Sequence, residues 1–405
     1  MFKIKLMKSQ SALPAGGQIP PSDFQIPPGV HFVEERGPDF RIYEVSTHIA
    51  AFVGYTQKSC GEGPVHIRNL EEFTRIFGGG DSAPLSYTLY YCIFLYFVNG
   101  GSECMVVSAG GLEGERCADD LIKGLWALKA DISAAIVAVP EAVMLPDVAG
   151  CLAVQREMLR FCGESDYMRF AILDLYGGDE EMDASVKEFR AGIGNSYLDC
   201  GAAYFPWVKL PLYRLNSELI LPASPLVAAV YGIVDNSRGV WKAPANESAR
   251  YVTGCSIKLT QAQVMKLTSP SDGGVNINAI ILAPGVGITL WGARTLIPEA
   301  VPARFINVKR TLSFLKSSIS SSLNCFLCEP NSPETWRSIE KTVSSYLEGF
   351  RLRGGFFGTS SAECFRVSAG SAADSGIDSH EWPADQTILV KVEVAMIKPG
   401  EFIEL

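Results

Sequence analysis

Histidine is scarce in this chain: four in 405 residues, at positions 31, 48, 66 and 380. None of them stand at metal-ligand spacing, and no H-E-x-x-H occurs, so there is no zinc-hydrolase signature. A G-x-S-x-G elbow and a Rossmann glycine fingerprint after a strand are also missing. The glycine run Gly78-Gly-Gly80 lacks the Lys-Ser/Thr of a phosphate loop and follows a helical segment rather than a strand. Positive charge is short too. The chain has 35 Lys and Arg against 44 Asp and Glu, a net of −9, the wrong balance for a general nucleic-acid binder. The most apolar run, Tyr87–Val98, is too short to span a bilayer and ends in Asn99-Gly100-Gly101. It reads as a buried helix. Met1–Gln10 carries lysines but no apolar h-region, so it does not read as a secretion signal.

Cysteine is present but follows no framework. Eleven are scattered along the chain, an odd number, several in apolar runs (Cys92, Cys104, Cys200, Cys325) where a free thiol behaves as a small core residue. This suits a reducing compartment, with no disulfide expected. The C-x-x-C is Cys325-Phe-Leu-Cys328. Read as part of a strand, Asn324–Cys328, its thiols face opposite sides and cannot share a metal without a turn. No metal and no cofactor are expected.

What is present is a long α/β pattern. Residues 1–38 form a proline- and glycine-rich arm in which only Val30-His-Phe-Val-Glu-Glu35 could pair as a strand. From Tyr43 the pattern turns globular. Ile49–Gly54 reads as a buried strand, Asn69–Phe77 as a short helix and Glu103–Ser108 as a strand. Helices 117–130, 147–162 and 180–191 then alternate with strands Ile132–Val139, Arg169–Leu175 and Gly201–Phe205. That alternation predicts an α/β fold with a mostly parallel sheet covered on both faces. Asp174 ends a strand, where α/β enzymes place catalytic acids. The position suits a solvated strand-terminal Asp better. A helix 225–234, a helix 260–267 and a strand Asn276–Leu282 follow. Strands at 364–368 and 387–397 and a last short one, Glu401–Leu405, complete the order. An apolar terminal strand leaves an unpaired edge that another chain could capture.

The stretch Gly285–Gly355 reads as a compact unit: a strand 287–296, a helix from about Ala303, the strand Asn324–Cys328 and a second helix. The first helix carries the stripe Phe305, Val308, Leu312, Leu315 and Ile319. The second starts on Ser332 and Pro333 and carries Trp336, Ile339, Val343, Tyr346, Leu347 and Phe350. Between Arg304 and Arg353 eight basic residues stand against four acidic ones, net +4 in a chain of net −9. The cations off the stripes, Lys309, Arg310, Lys316, Arg337 and Lys341, are therefore candidates for docking an acidic partner. The same pattern suits a pair of ordinary solvated helices.

Several stretches, in order along the chain, resemble the contractile tail sheath proteins of phage tails, R-type bacteriocins and extracellular contractile injection systems. They include Pro28-Gly-Val-His-Phe-Val-Glu-Glu35, Ile49-Ala-Ala-Phe-Val-Gly54, Phe97-Val-Asn-Gly-Gly101 and Val240-Trp-Lys-Ala-Pro-Ala-Asn246. Further on stand Asn276-Ile-Asn278, Leu290-Trp-Gly-Ala-Arg-Thr-Leu296, Phe305-Ile-Asn-Val-Lys-Arg310, Phe326-Leu-Cys-Glu-Pro-Asn331 and Pro399-Gly-Glu-Phe402. The longer proline-rich start and the many cysteines depart from the family pattern.

The resemblance implies an outer α/β domain, 39–283, and an inner α+β domain built from both chain ends, 1–38 and 284–405. It implies strand exchange between subunits, here through Val30, Phe32 and Val33 at one end and Phe402, Ile403 and Leu405 at the other. The five cations would then face an inner tube. The implied role is structural, without enzymatic activity. Copies of the chain would stack as hexameric rings around that tube and contract, with baseplate and terminal cap proteins and sheath paralogues as further partners, and no nucleic acid or membrane insertion. Assembly would take place in the bacterial cytoplasm, before the chain joins a released or anchored particle. An enzyme on a doubly wound sheet and a non-contracting cap protein are the alternatives.

Overall fold

The computed structural model describes residues 3–4, 32–33, 40–371 apart from 59–60, 62, 81–82, 214–215 and 269–272, and 387–400. The chain falls into two units, Met1–Arg41 and Ile42–Leu405. In the first, β1 (Lys3–Ile4) and β2 (Phe32–Val33) pair antiparallel, with Lys3 opposite Val33 and Ile4 opposite Phe32. Phe32 and Val33 thus form a strand whose partner here is the amino end of the same chain. Val30, Phe402, Ile403 and Leu405 lie outside the described residues.

The second unit opens with β3 (Ala50–Thr56), β4 (Val65–Ile67), α1 (Leu70–Phe77), α2 (Thr88–Val98) and β5 (Cys104–Gly111). Helices and strands then alternate: α3 (Ala118–Ala127), β6 (Ile136–Ala138), α4 (Val148–Gly163), β7 (Phe170–Asp174), α5 (Met182–Gly192) and β8 (Gly201–Phe205). Next come β9 (Val208–Leu212), β10 (Ser217–Leu221), α6 (Ser224–Arg238), β11 (Gly254–Cys255), α7 (Gln261–Thr268), β12 (Ile277–Ala283) and β13 (Gly287–Trp291). The last part holds α8 (Ile306–Leu323), α9 (Pro333–Leu352), α10 (Ser361–Cys364), β14 (Phe365–Ser371) and β15 (Ile388–Val394).

Eight strands make one sheet in the order β13-β12-β8-β7-β6-β3-β5-β4. Its six central strands are parallel, and β4 and β13 close the edges antiparallel. Helices on both faces explain why the central strands are apolar throughout rather than alternating. In β3, Ala51, Val53 and Tyr55 face the core under α3, α4 and α5, while Ala50 and Phe52 face the core under α1, α2 and α6. The helix Tyr87–Val98 appears as α2, buried as its composition requires. Two small antiparallel sheets stand apart: β10-β9-β11, and β14 with β15.

Two sequence expectations fail. Asn324–Cys328 is not a strand: a 3-10 turn covers Asn324–Phe326, and Cys328 has a φ of 69°. Two apolar residues between cysteines mimic a strand, but Asn324 before them and Pro330-Asn331 after them are turn chemistry. Cys325 and Cys328 are consequently exposed, so Cys325 is not the core residue expected and the opposite-face argument does not apply. The second concerns β13. It pairs residue by residue with β12, so the strand expected to open a separate unit belongs to the large sheet.

Candidate functional site

The two helices that carry the candidate cations differ in what they bury. α8 lies across the amino ends of the parallel strands and packs an unusual face. Beside Ile306, Val308, Phe314, Leu315 and Ile319 it buries Asn307, Arg310, Thr311, Ser317 and Ser318. Leu312, expected in the stripe, is 38% exposed. Arg310 is only 1% exposed. It donates to both carboxylate oxygens of Asp235 on α6, at 3.0 and 2.6 Å, and to the Thr47 carbonyl at 2.8 Å. Its guanidinium also sits 4.8 Å from the ring centre of Tyr231, whose hydroxyl meets that of Tyr204 at 2.8 Å. Arg310 is thus spent inside the molecule, and its reading as a surface docking cation is corrected. Burying such a charge requires a partner, and Asp235 supplies it.

Lys309 is half-buried and ion-paired with Asp199. Burial works to lower its pKa, but Cys200 and Asp199 outweigh that and leave it raised. Asn307 donates from one amide nitrogen to the carbonyls of Trp241, at 2.8 Å, and Ile397, at 2.9 Å. It thereby ties α8 to the loop after α6 and to the segment after β15.

α9 is the plainer helix. The Ser332 hydroxyl caps it by accepting from the Thr335 N–H, and Pro333 follows at the first position. Its buried face is Thr335, Ile339, Val343, Leu347 and Phe350, close to the expected stripe. Phe350 is the hub, with ring centres at 4.9 Å from Trp241, 4.9 Å from Phe356 and 6.0 Å from Phe314. Arg351 pairs with Glu348 at 2.7 Å and Arg353 pairs with Glu44. Among the described residues, Lys316, Arg337 and Lys341 are exposed and make no ion pair. The +4 therefore does not collect on one face: Lys309 and Arg310 turn inward while Arg337 and Lys341 stay outside.

At the opposite end of the sheet, the carboxyl ends of the strands hold two buried acids. Glu141 is fully buried, accepts from the Tyr55 N–H and lies 3.5 Å from Arg116. Burial pushes its pKa up to about 7 against the pull of Arg116. Asp174 is 3% exposed and accepts from the Ser224 N–H, at 2.8 Å, at the start of α6. Burial raises it too to about 7. It is a helix-capping acid, not a solvated one. Among the described residues no cluster of His, Cys, Asp and Glu could hold a metal ion, and no helix is long and apolar enough to cross a membrane.

No protein-family model matches the chain. It is similar to the tail sheath protein of Enterobacteria phage T4, at 29% identity over 139 residues, 33% of this chain and 20% of that protein. The chain thus spans about a fifth of the length of that curated relative. The solved structures agree along nearly the whole chain. The helical sheath of the anti-feeding prophage in its contracted state matches with a TM-score of 0.73 and 26% identity, covering 93% of this chain and 98% of that one. The chain thus resembles contractile tail sheath proteins in sequence and, nearly end to end, in fold. A chain of the anti-feeding prophage baseplate structure matches comparably, with a TM-score of 0.71 and 25% identity over 93% of this chain and 97% of that one.

Sequence reasoning missed the acids that pair with the cations of this helical layer, Asp235, Asp199 and Glu44, and the buried Arg169 in the cavity wall beside Lys309. Signals were present. Asp235 extends the apolar helix run Leu226–Val234, and Arg169 opens an apolar strand; both are ionic residues standing where burial is expected.

Proposed function

We propose that this chain is the sheath subunit of a contractile injection machine. Copies stack as hexameric rings around an inner tube and, on triggering, re-pack to drive the tube through a target envelope. The observation that carries this reading is the end-to-end likeness to a helical sheath in its contracted state. Residues 39–283 form the outer layer, to which β13 is joined by its pairing with β12; 1–38 and the rest of 284–405 form the inner one. The partners are further copies of the chain, the tube protein, and the baseplate and cap proteins at the two ends. Assembly takes place in the bacterial cytoplasm. No bond is made or broken. Glu141 and Asp174 occupy the end of the sheet where α/β enzymes place ligands, and their commitment to backbone N–H groups supports a structural use of that end. Work comes instead from a metastable interface giving way to a more extensive one.

In this reading Arg337 and Lys341 face the tube, while the segments around Val30, Phe32 and Val33 and around Phe402, Ile403 and Leu405 exchange with neighbouring subunits. Negative-stain microscopy of the purified chain tests the assignment. Striated cylinders are expected from the full chain, and soluble monomers from a chain lacking 401–405. Single rings that never stack favour a cap protein, and monodisperse monomers from the full chain overturn the sheath reading.

A further inference from the structure

A cavity of about 100 Å³ opens between the carboxyl end of α4, the start of β7 and the flank of α8. Its wall carries Arg169, Lys309 and Lys316 with the hydroxyls of Ser313 and Ser317, and one acid, Asp166. Arg169 is 4% exposed. Its bonds run to the carbonyls of Leu128, at 3.1 Å, and Asp131, at 2.6 Å, and its guanidinium lies 4.4 Å from the centre of the Phe161 ring. Among the described residues no carboxylate bonds it, and its Nε–H has no partner. A buried cation held only by carbonyls and a ring is an incomplete arrangement, because carbonyl dipoles offset only part of its lost hydration.

The neighbours make the imbalance larger. Lys309 is matched by Asp199, which leaves Arg169 and Lys316 against Asp166 in the wall and, for Arg169, the nearby carboxylate charge of Asp131, which does not bond it. The two cations come from different elements, so an anion between them closes a bridge that the chain itself leaves open. The hydroxyls add donors that suit a group with several acceptor oxygens. The volume is enough for one such group.

We propose that this cavity binds a single small oxyanion of the phosphate or sulfate type, held by Arg169 and Lys316 with the Ser313 and Ser317 hydroxyls. The bound anion ties α8 to the junction of α4 and β7. It stabilises the folded subunit by RT ln(1 + c/Kd), with c the free anion concentration, so the thermal midpoint keeps rising with the logarithm of that concentration. The inference does not depend on the particle the subunit builds.

The test uses the isolated full chain and inorganic phosphate. Ionic strength is held constant with chloride, and binding is followed by calorimetry and by the thermal midpoint. One saturable equivalent is expected, with sulfate competing and chloride inert. Lys316→Gln, an exposed change, should weaken phosphate binding about fivefold while leaving the midpoint in chloride unchanged. Arg337→Gln, also exposed but outside the cavity, should bind phosphate as the unaltered chain does. The proposal is overturned if the midpoint tracks ionic strength alone or if Lys316→Gln binds normally. It is equally overturned if Arg337→Gln loses as much affinity as Lys316→Gln, which marks general surface attraction.

Discussion

α8 and α9 are neighbours in sequence, similar in length and alike in carrying Lys and Arg, yet they are held by different physics. α9 buries an apolar stripe with a single threonine in it and leaves Arg337 and Lys341 in water. α8 buries an arginine, an asparagine, a threonine and two serines, each of which must find a partner or lose stability. For Arg310 and Asn307 those partners come from distant parts of the chain: Asp235, Thr47, Trp241 and Ile397. An apolar stripe can slide or repack at modest cost, whereas a paired buried charge admits one geometry. α8 is therefore the helix whose position against the sheet is specified, and α9 is the helix that covers.

The largest effect should come from breaking the α8 pair. Asp235→Ala leaves Arg310 charged and buried, and should cost about 3–5 kcal/mol in denaturant unfolding. The double change Arg310→Met with Asp235→Leu should recover most of that loss, because well-packed apolar residues replace both charges. If the single change costs under about 1 kcal/mol, the pair acts as a surface bridge does and the contrast between the helices fails.

Next in size is a pH effect from the far end of the sheet, which neither helix touches. Glu141 and Asp174 have folded pKa values raised to about 7. Between their unfolded values and about 7 the native state holds the extra protons. Stability should therefore fall as pH rises across that window and flatten above it. Glu141→Gln should shallow the slope in urea titrations run at several pH values, while Arg337→Glu should leave it alone. A slope unchanged in Glu141→Gln refutes the assignment.

A smaller loss should follow from crowding the α9 hub. A Cβ added at Gly355 would overlap the Phe350 ring, which is fully buried, so the ring or the backbone must shift. Gly355→Ala should cost about 1–3 kcal/mol, read as a lower thermal midpoint. The smallest change in stability should come from Arg337→Glu with Lys341→Glu, within about 0.5 kcal/mol. If both side chains dock the tube, this pair should instead shift particles from extended and filled to contracted and empty. Docking of the unaltered chain should also weaken as salt rises. Normal yields of extended particles from the double reversal leave the two cations as a solvated face.

The legibility of the sequence followed the same division. β8 was read to the residue and α9 nearly so, because an apolar run of strand length and a capped apolar stripe are local signals. α8 was half misread because the evidence for Arg310 lies 75 positions away, in Asp235. A basic residue beside an apolar stripe looks solvated until the fold brings its counter-ion. The turn at Asn324–Phe326 was lost for the converse reason: a short apolar run carries no periodicity with which to separate strand from turn. The cavity beside Arg169 was invisible in the sequence, since α4, β7 and α8 meet there only after folding.

The Asn307 amide has a mechanical consequence. β15 pairs with β14 across seven residues, antiparallel, and the chain beyond it passes Ile397, whose carbonyl Asn307 grips. Tension applied past Gly400 along the strand loads those rungs in shear, so they resist together rather than parting one at a time. The Asn307 bond diverts part of the load into α8. From there Arg310 passes it to α6 and the broad sheet, so that a tug on the tail moves the subunit as a whole before the tail tears loose.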